Sequence, residues 1–167
     1  MAKMEQIHNT NTANIEPITS ENPMDRRIID VWADNFYDQL DYIKTLIGEY
    51  NYIAMDTEFP GVTEVPRKIS DDYQYQLCKV NIDCLKMIQL GITLFDDKGN
   101  MPAGPCTWQF NFKFDIDKEK YKKNSIDILK EAGINFPKHK TDGIDPLTFG
   151  EYFLTSGLVF NDDLVWI

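Results

Sequence analysis

Asp56 and Glu58 stand two positions apart where the apolar run of "YIAMDTEFPGV", residues 52–62, gives way to a Pro-Gly turn. In an extended strand residues i and i+2 project from the same face, so the two carboxylates converge on one spot. Two such charges about 6 Å apart repel by roughly 3 kcal/mol at an effective dielectric near 20. Something has to offset that repulsion: solvent, a shared proton, a basic neighbour or a divalent cation. If a cation does so, carboxylate oxygen suits Mg²⁺ or Mn²⁺, which combine a few carboxylates with water and substrate phosphate.

Spacing alone is a weak signal. With 27 acidic residues in 167, chance supplies on the order of four acid-x-acid triplets. Asp115 and Asp117 in "FDID" repeat the spacing, as do Asp117 and Glu119, but they fall in a Lys-rich stretch that reads as a solvated turn. Position distinguishes Asp56 and Glu58, which close an apolar strand and are followed directly by Phe59, Pro60 and Gly61. Other groups offer less. His8 lies in a polar leading stretch, and His139 in "FPKHKTDG" reads as a surface-loop histidine. Lys118, Lys120, Lys122 and Lys123, with Lys138 and Lys140 nearby, read as a solvated basic face. Tyr73 and Tyr75 in "DYQYQL" either frame a substrate groove or anchor a loop to the core. There is no phosphate-cradling Gly-rich loop and no placeable Ser/His/Asp arrangement.

The elements that must hold the acidic pair are legible from period and punctuation. Residues 1–24, polar and Asn/Thr-rich without periodicity, read as a disordered extension, leaving 25–167 as the folded portion. "RIIDVW" reads as a short strand, and Asn35 as the cap of a helix whose Phe36, Leu40, Ile43 and Ile47 form one apolar face. "NYIAMDTEF" reads as a buried strand, and "PGVTEVPRKISDDYQYQL" as a long surface loop. "CLKMIQLGITLFDDKGN" and "TWQFNFKFDID" read as neighbouring strands of a hairpin, with Leu90, Met87 and the alternating Phe residues as core. Ser125 is expected to cap "IDILKEA" with Gly133 just past its end, and Asp145-Pro146 to start a helix that Gly157 stops. "LVWI" opens a further strand.

Composition bounds the class. A 43% hydrophobic chain of 167 residues can bury a real core as one domain. The net charge of −10 repels phosphate on average, so any nucleic-acid chemistry has to be local or metal-assisted. No run approaches the roughly 18 apolar residues of a membrane span, so no membrane role is expected. Three cysteines without a C-x-x-C pair argue against a disulfide framework or structural zinc and fit a reducing intracellular compartment.

Taken together, "AMDTEFPGV", Pro66, "DYQYQL", "LKMIQLGITL" and "TWQFNFKF" resemble the Caf/Pop-type deadenylases, the poly(A) exoribonuclease subunits of the CCR-NOT complex. The match runs from near "VWADNFYDQL" to the last residue. The resemblance implies an α/β, RNase H-like fold of the DEDD nucleases: a central mixed sheet with flanking helices, in which four acidic residues hold two divalent cations. Asp56 and Glu58 match the first acidic motif, as metal ligands and catalytic residues, and Phe59 beside them is a candidate substrate-stacking ring. The implied cofactors are Mg²⁺ or Mn²⁺. The implied reaction is stepwise 3′-to-5′ removal of 5′-AMP from poly(A) tails, in cytoplasm and nucleus. Implied partners are poly(A) RNA, the Not scaffold, the leucine-rich-repeat deadenylase and Tob/BTG-type adaptors.

In that family two further acidic residues and a catalytic histidine lie beyond the strand that opens here as "LVWI". The sequence therefore reads as an N-terminal portion with the C-terminal part missing and half a metal site. By itself it is expected to be inactive and to melt below about 60 °C. Val65 also departs from the basic residue common in relatives at that place. The alternative reading is a catalytically incomplete interaction module that binds the CCR-NOT scaffold.

Overall fold

The computed structural model describes residues 28–66 and 71–167. The proposed extension, residues 1–24, lies outside the described residues, as does His8. Five strands form one mixed sheet: β1 (Ile28–Val31), β2 (Tyr52–Glu58), β3 (Gln89–Phe95), β4 (Thr107–Asn111) and β5 (Val165–Trp166). Their order is β1-β4-β3-β2-β5. The β2–β3–β4 ladder is antiparallel, while β1 joins β4 and β5 joins β2 in parallel. The helices are α1 (Phe36–Leu46), α2 (Tyr73–Cys84), α3 (Lys123–Glu131), α4 (Phe136–Asp142) and α5 (Pro146–Leu154).

Period-2 alternation gives the sheet two unlike faces. Val31, Ile53, Leu90, Ile92, Leu94, Trp108 and Phe110 project to one side, where they pack with Phe36, Leu40 and Ile43 of α1 and with Phe149 and Phe153 of α5. Full burial of each such side chain stabilises the fold by about 1.5–3 kcal/mol. The opposite face carries Asp30, Ala54, Asp56, Glu58, Gln89, Gly91, Thr93, Thr107, Gln109 and Asn111, which register places side by side. An antiparallel sheet tolerates one apolar and one polar face in this way. A second core of Ile88, Phe114, Ile126, Leu129 and Phe136 lies under α3 and α4.

Most expected elements stand where period placed them, including the hairpin, the capped start of α5 and the strand that opens at "LVWI", which pairs beside β2. Five expectations need correction. The long loop ends at Asp72, because "YQYQLCKVNIDC" is α2; its weak amphipathicity hides the helix from a periodicity test. The β2 strand is not a buried strand: only Ile53 is fully buried and Met55 is half exposed. Helix α3 begins at Lys123, so Ser125 sits inside it and packs against Gly61 rather than capping. Helix α5 ends at Leu154, before Gly157. His139 is no surface-loop residue; it is 1% exposed on α4, and its Nδ1 lies 2.8 Å from the Phe112 carbonyl oxygen. Asn35 does precede α1, but its side chain turns back to accept from Trp32 N–H and donate to the Asp30 carbonyl.

Candidate active site

The acidic pair sits on the last turn of alternation in β2. Asp56 lies opposite Gly91 and Glu58 opposite Gln89 on β3, so both carboxylates leave the polar face beside the centre of the sheet. They open onto a cavity of about 280 Å³ whose walls also include Gln89, Gly91, Thr93 and Gln109. Neither carboxylate makes a hydrogen bond or ion pair with another described residue. Asp56 is exposed, whereas Glu58 is partly buried. Burial, and after it the Asp56 charge, pushes the Glu58 carboxyl above the ordinary glutamate value. The repulsion expected from spacing is therefore present, and no basic neighbour among the described residues offsets it.

That state suits a divalent cation, which would neutralise both groups at once. Among the described residues no group of three or more His, Cys, Asp or Glu side chains gathers at one point. Two carboxylates completed by water and substrate phosphate are sufficient ligands for Mg²⁺, which keeps several waters and dislikes all-protein cages. The donor set fits the cation on its chemistry.

The loop leaving the site is tightly held. Gly61 has φ +96°, and a Cβ there would run into the Ser125 side chain, so the turn accepts only glycine on both counts. The Pro60 carbonyl accepts from Lys122 N–H at 2.9 Å. Asn81 on α2, 7% exposed, then clamps the loop. Its Oδ1 accepts from Thr63 N–H at 2.8 Å and Glu64 N–H at 3.1 Å, while its Nδ2 donates to the Glu64 and Leu77 carbonyls at 2.8 Å each. Sequence reasoning passed over Asn81, since nothing local marks an asparagine whose partners lie 17 and 18 residues away.

Of the candidates, Asp56 and Glu58 come together; Phe59 lies instead in an adjoining apolar groove with Gly61, Val62, Leu77, Ile82 and Leu85. Tyr73 and Tyr75 ride on α2, with Tyr75 exposed, and Val65 is exposed. Much of the basic run is neutralised: Lys118 pairs with Asp115, Lys120 with Glu64, Lys123 with Asp127, and Lys140 with Asp115 and Asp117.

The CAF1 family ribonuclease profile matches residues 31–151, a span that includes β2 and its acidic pair. The chain belongs to the CAF1 family of ribonucleases. The poly(A) ribonuclease pop2 of Schizosaccharomyces pombe is 46% identical over 143 residues, covering 84% of this chain and 43% of that protein. POP2 of Saccharomyces cerevisiae, also a poly(A) ribonuclease, is 40% identical, with 96% of this chain and 38% of that protein covered. This CAF1-family chain thus spans under half the length of either. A solved structure of S. pombe Pop2p with Mg²⁺ and Mn²⁺ bound superposes with a TM-score of 0.82 at 43% identity, covering 84% of this chain and 57% of that one. The fold is RNase H-like, as the motifs implied.

Proposed function

We propose that this chain supplies the first acidic pair of a metal-dependent exoribonuclease that removes poly(A) tails from mRNA, in the 3′-to-5′ direction and with release of 5′-AMP. The observation that carries the reading is the unneutralised pair Asp56 and Glu58, open to one cavity in a chain of this family. Pop2p binds Mg²⁺ and Mn²⁺, which supports the same cations here. When bound, two such cations activate an attacking water and stabilise the leaving 3′-oxygen. Asp56 would hold the cations through its carboxylate. Glu58, held higher in pKa, supplies a further oxygen and orients the water or the terminal ribose hydroxyl. Phe59, next in sequence, offers a ring for stacking on an unpaired base.

The test uses a chimera in which residues 28–166 replace the aligned segment of S. pombe Pop2p. It is expected to shorten 5′-labelled RNA bearing a 3′ A-tail with Mg²⁺ and not with EDTA, and Asp56→Ala is expected to abolish shortening. Unchanged shortening in Asp56→Ala sinks the reading.

A second reading is that the chain is an interaction module. It is favoured by the absence of a third metal-ligating side chain near the pair among the described residues, and by the yeast NOT1 MIF4G domain having been co-crystallised with CAF1. On either reading the proposed partners are a Not scaffold subunit, the leucine-rich-repeat deadenylase and Tob/BTG-type adaptors, in cytoplasm and nucleus. Stable binding of the chain to a NOT1 MIF4G domain, with A-tailed RNA left intact by the chimera, would favour the module.

A further inference from the structure

We propose that Gln109 reads the base of a nucleotide whose phosphate would be held through a divalent cation at Asp56 and Glu58, across a trough floored by Gly91, and that the base it favours is adenine; the inference rests on the nuclease reading above. Register sets the geometry. Asp56 pairs with Gly91, Gly91 with Gln109 and Gln109 with Asp30, so the four lie in one row straight across the polar face. Neighbouring strands are about 4.8 Å apart, which puts Gln109 roughly 10 Å from Asp56. That is comparable to the reach from a phosphorus to the far edge of its own purine.

Gly91 has no structural reason to be glycine. Its φ lies outside the left-handed region. A Cβ added there would come no nearer than 3.9 Å to any neighbouring atom, the Asp56 carbonyl oxygen. A glycine inside a strand weakens it and often marks close approach of a ligand. Here the missing side chain leaves the space between the carboxylates and Gln109 open, and all of them line the same cavity.

Besides Asp56 itself, Gln109 is the polar side chain of this row left without a hydrogen bond to a described residue. Its neighbours bond each other: Gln89 Nε2 donates to Asn111 Oδ1 at 2.8 Å, and the Thr93 and Thr107 hydroxyls lie 2.8 Å apart. The Asn111 amide nitrogen donates to the Val31 and Gln109 backbone carbonyls. The Gln109 carboxamide makes no hydrogen bond to any described residue. It lines both the acidic cavity and an adjoining one of about 330 Å³ that holds Asp30, Asn111 and His139. A carboxamide offers a donor and an acceptor at the spacing that meets adenine N7 and N6–H together. Pyrimidines lack the N7 acceptor and fall short of the trough's far wall.

The experiment titrates the whole 167-residue chain, with Mg²⁺, against adenosine 5′-monophosphate, cytidine 5′-monophosphate and 7-deaza-adenosine 5′-monophosphate by calorimetry. AMP is expected to bind about tenfold more tightly than either of the others. Gln109→Ala, checked for folding by its melting curve, is expected to narrow that preference to within about twofold. Gly91→Val is expected to weaken all three. The 7-deaza comparison uses the unaltered protein and so stands even if a variant misfolds. Equal binding of AMP and its 7-deaza analogue, or an AMP preference that survives Gln109→Ala, overturns the inference while leaving the nuclease reading in place. If none of the three binds in the presence of Mg²⁺, both fall together.

Discussion

At the residue scale, Glu58 carries the cost of an unneutralised pair. Burial and Asp56 raise its pKa, so between the ordinary glutamate value and the raised one the folded chain holds a proton that the unfolded chain has released. Stability therefore falls as pH rises through that window, and at neutral pH the ionised Glu58 is a small liability. Glu58→Gln is expected to raise the melting temperature at neutral pH without divalent cations. Glu58 is only partly buried, so solvent screening keeps the gain below about 1 kcal/mol. It should shrink below about pH 4, where glutamate is protonated in both states. Added Mg²⁺ should raise the melting temperature of the unaltered chain and leave Asp56→Asn unmoved, since a ligand stabilises only the state that binds it. Melting curves across pH and Mg²⁺ concentration check both.

At the scale of elements, two polar side chains hold the frame of the site. Asn81 joins α2 to the loop after the acidic motif through three hydrogen bonds, and its fourth, to the Leu77 carbonyl, stays within α2. Asn81→Ala leaves part-buried backbone groups of Thr63 and Glu64 unpaired and is expected to cost about 2 kcal/mol. In amide hydrogen exchange it should deprotect Thr63 and Glu64 first, leaving β3 and β4 protected; uniform loss of protection would contradict a local clamp. Asp145 caps α5, accepting from Leu147 and Thr148 N–H at 3.0 Å each. The Thr148 N–H in particular holds its carboxyl below the usual aspartate range. That stabilisation is present above the unfolded aspartate pKa and is lost as pH falls through the lowered folded value. Asp145→Ala should cost about 1 kcal/mol at neutral pH. The difference from the parent should vanish in acid, as parallel denaturant titrations would show. Both residues matter through backbone amides, but only Asp145 is legible locally, because its partners are two and three residues away.

For the whole molecule, charge governs how a polyanion could be bound. The net charge is −10, and Lys118, Lys120, Lys123 and Lys140 are each tied to a carboxylate. Within that basic run only Lys122 and Lys138 have no ion pair among the described residues, so the run offers few free cations to displace counterions from RNA. Binding of oligo(A) is expected to depend strongly on divalent cations and weakly on monovalent salt, with a log–log slope shallower than about −2. Anisotropy titrations over a range of KCl concentrations test this; a steep slope with no need for Mg²⁺ would show that a basic face does the binding instead.

Much of this was legible in one dimension. Alternation in "QLGITLF" and "TWQFN" located the hairpin, Asp145-Pro146 located a helix start, and the acid-x-acid pair at the end of an apolar strand, with the motifs around it, indicated the family. Each signal is local, set by strand period, fixed φ or neighbouring amides. Helix α2 was not legible, because its apolar residues do not form one face; nor was the buried place of His139, which depends on Phe112 far along the chain. The sequence by itself determined that two carboxylates share a face. Only the tertiary structure decided which face that is, that no described cation neutralises them, and that Gly91 and Gln109 lie in the row of Asp56. The physical reason is that strand period fixes sidedness within one strand, whereas register between strands and the absence of a counter-charge depend on residues brought together only by folding.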